Sequence, residues 1–73
     1  MLEVGVLLHQ AKSGRLIVRL TREVRPGVAI LDDRGKRLGR VVELIGPVKA
    51  PYASVAVTSG KIGKAGSAAY VEG

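Results

Sequence analysis

The run Arg15-Leu16-Ile17-Val18-Arg19-Leu20-Thr21-Arg22-Glu23-Val24-Arg25 is the longest in the chain without glycine or proline, and it is the one place where a helix of useful length fits. Two readings compete for it. A helix stacks Leu16, Leu20 and Val24 on one face. A strand alternates Leu16, Val18 and Leu20 against Ile17 and Arg19. Gly14 just before the run and Pro26-Gly27 just after it favour the strand, and Val and Ile are prominent among the apolar residues throughout the chain.

Working outward from that run, the chain divides into short apolar segments separated by turn residues. Upstream, Val4 to His9 reads as a strand with Val4, Val6 and Leu8 on one face, and Lys12-Ser13-Gly14 as the turn that follows it. Downstream, Arg25-Pro26-Gly27 is a turn: proline holds φ near about −65° and glycine is free to take positive φ. Val28 to Asp32 enters a hairpin whose turn is Asp33-Arg34-Gly35-Lys36, and Leu38 to Ile45 returns from it. Gly46 to Pro51 form a loop, and Tyr52 to Thr58 a strand that places Ala53, Val55 and Val57 together. Ser59 to Ser67 is a connector rich in glycine and lysine, and Ala68 to Glu72 is the last strand. Six strands with tight connections close most economically as one small all-β, six-stranded barrel spanning residues 1–73.

Composition narrows the chemistry. A chain of 73 residues buries a small fraction of its surface compared with larger domains, so cross-links or partners matter more to it. Cysteine is absent and there is one histidine, His9, which excludes disulfides, thiolate metal sites and a histidine cluster. Asp32 and Asp33 are adjacent in a turn, where one carboxylate caps the backbone, and on a strand they would point to opposite faces. Gly60-Lys61-Ile62-Gly63-Lys64-Ala65-Gly66-Ser67 has the flavour of a phosphate loop without its spacing or its strand-to-helix setting. No nucleophile, base or metal cluster emerges, so the expectation is a binding protein with no cofactor and no small-molecule substrate. Met1-Leu2-Glu3-Val4 carries an acid where a secretory signal has basic residues, and no apolar stretch is long enough to span a membrane. The expected setting is therefore intracellular.

The formal net charge is +6 and the isoelectric point about 10.4, which suits a polyanionic neighbourhood such as RNA. Arg15, Arg19, Arg34, Lys36, Arg37, Arg40, Lys61 and Lys64 are the candidate phosphate contacts; a solvated basic surface is the simpler account of them. Tyr52 and Tyr70 are the only aromatic residues, too few for base stacking on an open sheet.

The most informative segment is Leu38-Gly39-Arg40-Val41-Val42-Glu43-Leu44-Ile45-Gly46-Pro47-Val48-Lys49-Ala50-Pro51-Tyr52-Ala53-Ser54-Val55. Pro47 and Pro51 stiffen the loop and remove backbone donors, and Gly46 lets the chain leave a strand sharply. Val48 and Tyr52 would offer pre-ordered apolar area, which reduces the entropy lost on docking; a stiff barrel corner with Tyr52 on the core rim is the structural alternative.

That segment resembles the signature of the glycine–arginine-rich-domain family of H/ACA ribonucleoprotein core subunits. Gly5 to His9, Arg15 to Val18, Pro26 to Asp32, Gly35 to Gly39 and Gly66 to Val71 resemble other parts of the same family, so the likeness covers nearly the whole chain. Ile45 stands where the family has phenylalanine, and the glycine–arginine-rich tails are missing, as in the archaeal form. A related assembly-factor family shares the core motif. The resemblance implies a barrel similar to the second domain of translation elongation factors. It implies a non-catalytic role in RNA-guided pseudouridylation of ribosomal RNA, with the dyskerin-type pseudouridine synthase as partner. Guide and substrate RNA would then be met only through the particle. It implies a cytoplasmic setting, and a synthase-facing patch of Gly46, Pro47, Val48, Pro51 and Tyr52, with Ile45 and Val55 as its core support.

Overall fold

In the computed structural model, which describes residues 1–46, 51–58 and 64–72, the contested run is a strand followed by an irregular connection. The strands are β1 (Leu2–Gln10), β2 (Leu16–Leu20), β3 (Ala29–Leu31), β4 (Arg37–Ile45), β5 (Tyr52–Val57) and β6 (Ala68–Val71). They close into a barrel in the order β1-β2-β5-β4-β3-β6, with every neighbouring pair antiparallel. The fold is thus the all-β, six-stranded barrel that the segment pattern implies. Among the described residues no helix is long and apolar enough to cross a membrane.

Alternation along β2 and β5 sets the inside of the barrel. Leu16, Val18 and Leu20 from β2 and Ala53 and Val55 from β5 are buried in one cluster with Val4, Leu7, Ile30, Leu38, Val41 and Ala69. Val55, read as core from the sequence, is fully enclosed there.

Simple alternation fails on β1. Val4, Val6 and Leu8 do not share one face as expected: Val4 and Leu7 are buried, whereas Val6 and Leu8 are half-exposed. The cause is a pair of bulges. The register of β1 slips between Glu3 and Gly5 against β6, and between Leu7 and His9 against β2, and each extra residue reverses the inside–outside phase. A third slip, between Val41 and Glu43, does the same to β4.

Closing so few strands brings backbones close together. A Cβ on Gly5 would lie 2.2 Å from the carbonyl oxygen of Arg19, and one on Gly39 would lie 2.3 Å from that of Ala56. Glycine is required at both positions for space. At the turns it is required for backbone angle: Gly27 (φ 94°) follows Pro26, and Gly35 (φ 82°) closes the β3–β4 hairpin. The carboxylate that organises that hairpin is Asp32, one residue before the expected turn. Its Oδ1 accepts from the backbone N–H groups of Arg34 (2.9 Å) and Lys36 (2.8 Å).

Candidate functional site

Tyr52 opens β5 and points outward. Its register partners are Arg19 on β2 and Ile45 on β4. Two residues along β5, Ser54 is paired with Ile17 on one side and Glu43 on the other, and it is almost completely covered although it lies on the outer side of the strand. On β1, the bulge after Leu7 turns Leu8 and His9 toward the same outer surface, with His9 opposite Ile17. Leu8, His9, Ile17, Ile45 and Tyr52 together line one shallow depression across β1, β2, β5 and β4.

Ile45 is therefore not core support. It is 45% exposed beside Tyr52, itself 36% exposed. The slip between Val41 and Glu43 is responsible: Val41 is inside, Glu43 and Ile45 are outside, and Leu44, opposite Ala53, turns toward the end of the barrel.

The patch expected from the motif divides in two. Gly46 and Pro51 line a separate cleft at the barrel end, shared with Leu20, Thr21, Arg22, Glu23, Val24 and Leu44. Tyr52 belongs to the outer depression. Gly46 (φ 93°) makes the sharp exit from β4 that its type allows. Pro47 and Val48 lie outside the described residues. Leu8, Ile17 and Ile45 were missed as surface residues. The readable signal for Ile17 was its place opposite in phase to Leu16, Val18 and Leu20, an apolar side chain on the solvent side of a strand.

The basic residues fall into separate groups. Arg34, Lys36, Arg37 and Arg40 are exposed on the β3–β4 hairpin, Lys64 is exposed before β6, and Arg15 is half-buried at the entry to β2. Arg19 lies apart from them, next to Tyr52. Lys61 lies outside the described residues. Among the described residues no three histidine or acidic side chains come together to hold a metal, and no buried side-chain nitrogen or oxygen lacks a hydrogen-bond partner.

No family model matches the chain. It is 35% identical over 52 residues to an uncharacterized protein of Methanothermobacter thermautotrophicus, a match covering 71% of this chain and 56% of that one. It is 37% identical over 49 residues to an uncharacterized protein of Methanocaldococcus jannaschii, covering 67% of this chain and 59% of the relative. The chain thus spans somewhat more than half the length of the curated relatives it matches.

Proposed function

We propose that this barrel is a non-catalytic subunit of an H/ACA-type guide-RNA particle. It binds the dyskerin-type pseudouridine synthase and promotes RNA-guided pseudouridylation of ribosomal RNA. The observation that carries the reading is the outward pair Ile45 and Tyr52, at the two ends of the Gly46–Pro51 segment whose sequence resembles the family signature. Apolar side chains held outward on strands lose little freedom on docking, and tyrosine in such a setting is a frequent binding hot spot. Arg19 and Glu43 beside them supply the charged rim that surrounds the apolar centre of many interfaces.

A contact of about 800 Å² per partner would be of standard size for a specific complex. The proposed setting is the cytoplasm of an archaeal cell, in keeping with the two archaeal relatives.

The test is co-purification of the domain with a dyskerin-type synthase, followed by multiple-turnover pseudouridylation with and without it. Capture and faster turnover are expected, and Tyr52→Ala and Ile45→Asp should each weaken capture while leaving the barrel folded. Capture unchanged by both substitutions would remove this face from the interface. A stable complex with unaltered turnover would overturn the role in promoting the reaction.

A further inference from the structure

The two ends of the barrel carry different charge. Because neighbouring strands all run antiparallel around the closed order, the β1–β2, β3–β4 and β5–β6 connections emerge at one end. The β2–β3 and β4–β5 connections emerge at the other. The first end gathers Lys12 and Arg15, then Arg34, Lys36 and Arg37, then Lys64, and all but the half-buried Arg15 are exposed. The acids on these three connections are Asp32 and Asp33, and Asp32 Oδ1 is turned onto the backbone N–H groups of its own hairpin. At the opposite end Glu23 sits between Arg22 and Arg25.

We propose that the end formed by these three connections docks the phosphate backbone of a nucleic acid. Its cations stand on three separate loops, so they match an extended row of charges better than one small anion. Each loop turns on a glycine of positive φ: Gly14, Gly35 and Gly66. A Cβ at Gly14 or Gly66 would meet nothing within 4 Å, whereas one at Gly35 would lie 3.5 Å from Met1 Sδ. The tips of the β1–β2 and β5–β6 connections are thus low and open to a close approach, and the β3–β4 tip has Met1 against it. Neither tyrosine lies on these connections; Tyr52 and Tyr70 are both in strands. The ligand is consequently held through phosphates without base stacking or sequence preference. This surface involves neither Ile45 nor Tyr52 and stands independently of the synthase-docking proposal.

The probe is a fluorescein-labelled oligouridylate of about twelve nucleotides, within the site sizes seen for single-strand binders, followed by anisotropy from about 50 mM salt upward. The triple variant Lys12→Gln/Lys36→Gln/Lys64→Gln removes one charge from each loop. Arg19→Gln/Arg22→Gln/Arg25→Gln removes the same charge elsewhere. The loop variant should bind about tenfold or more weakly, and its log K against log[salt] slope should flatten by about 2, since each lost phosphate contact accounts for about 0.7. The matched control and Tyr52→Ala should stay within about threefold of the parent. On the unmodified domain, amide shifts on titration should concentrate at residues 12–14, 34–37 and 64–66. Equal losses in the two triple variants, shifts centred on Tyr52, or no binding at the lowest salt would overturn the proposal.

Discussion

Ile45 and Tyr52 face each other across the β4–β5 ladder with both side chains on the outside of the barrel. An outward cross-strand apolar pair contributes about 0.2–1 kcal/mol to a sheet, little compared with an enclosed residue. Ile45→Ala should therefore change unfolding free energy by less than about 1 kcal/mol. Val41→Ala, four positions earlier and fully enclosed, should cost about 2 kcal/mol. Urea unfolding followed by circular dichroism distinguishes them; equal costs would mean that the bulge between Val41 and Glu43 does not set the phase of β4.

Leu7 and Leu8 offer the same comparison on adjacent residues. Leu7 is sealed in the core and Leu8 is half-exposed on the outer depression. Leu7→Ala should cost about 3 kcal/mol through lost contacts and a residual cavity, and Leu8→Ala about 1 kcal/mol or less. A reversal of this order would return β1 to the unbulged alternation of Val4, Val6 and Leu8.

The closely approached glycines should tolerate substitution worse than the open turn glycines. A methyl group at Gly39 would also meet Val55 Cγ1 at 2.8 Å, and neither it nor the Ala56 carbonyl can move without shifting the β4–β5 ladder. Gly39→Ala should cost more than about 3 kcal/mol, by analogy with severe overpacking, or prevent folding. Gly14→Ala meets no atoms and carries only the left-handed backbone penalty, about 1–2 kcal/mol. The midpoints of urea unfolding rank the two, and a Gly39→Ala protein as stable as Gly14→Ala would contradict the close approach.

These substitutions mark what could be read from the sequence. The barrel was legible because glycine and proline recur too closely for long helices, and because Leu16, Val18 and Leu20 alternate cleanly against Ile17 and Arg19. The bulges were not legible. A one-residue slip depends on the partner strand and on the curvature needed to close the sheet, and no local residue pattern records either. Hence Val4 does not share one face with Val6 and Leu8, Ile45 is exposed where core support was expected, and the motif near Tyr52 was read as one patch although Gly46 and Pro51 line a different cleft. The positions of Pro47 and Val48 within that motif lie outside the described residues.

The β3–β4 turn rests on Asp32 more than on Asp33. Two backbone donors converge on the Asp32 carboxylate, and bonds to a charged acceptor are stronger than neutral ones. Asp32→Ala should destabilise by about 1–3 kcal/mol, with Asp32→Asn recovering part of the loss because an amide oxygen can still accept. Asp33→Ala, at an exposed position, should stay within about 0.5 kcal/mol. Thermal unfolding of the three variants checks the ranking.

The order of strands around the barrel also imposes an order in time. The β1–β2, β3–β4 and β4–β5 pairings join segments adjacent in sequence and can form while the chain is still short. The β2–β5 ladder must wait for the intervening strands, and the pairing of Leu2 with Val71 requires almost the full length of the chain. Such distant pairings must overcome loop-closure entropy before they give any return, placing small barrels among the slower folders, in milliseconds to seconds. During synthesis β1 therefore leaves the ribosome long before its partner β6 exists, and one of its edges stays unsatisfied until β6 has been made.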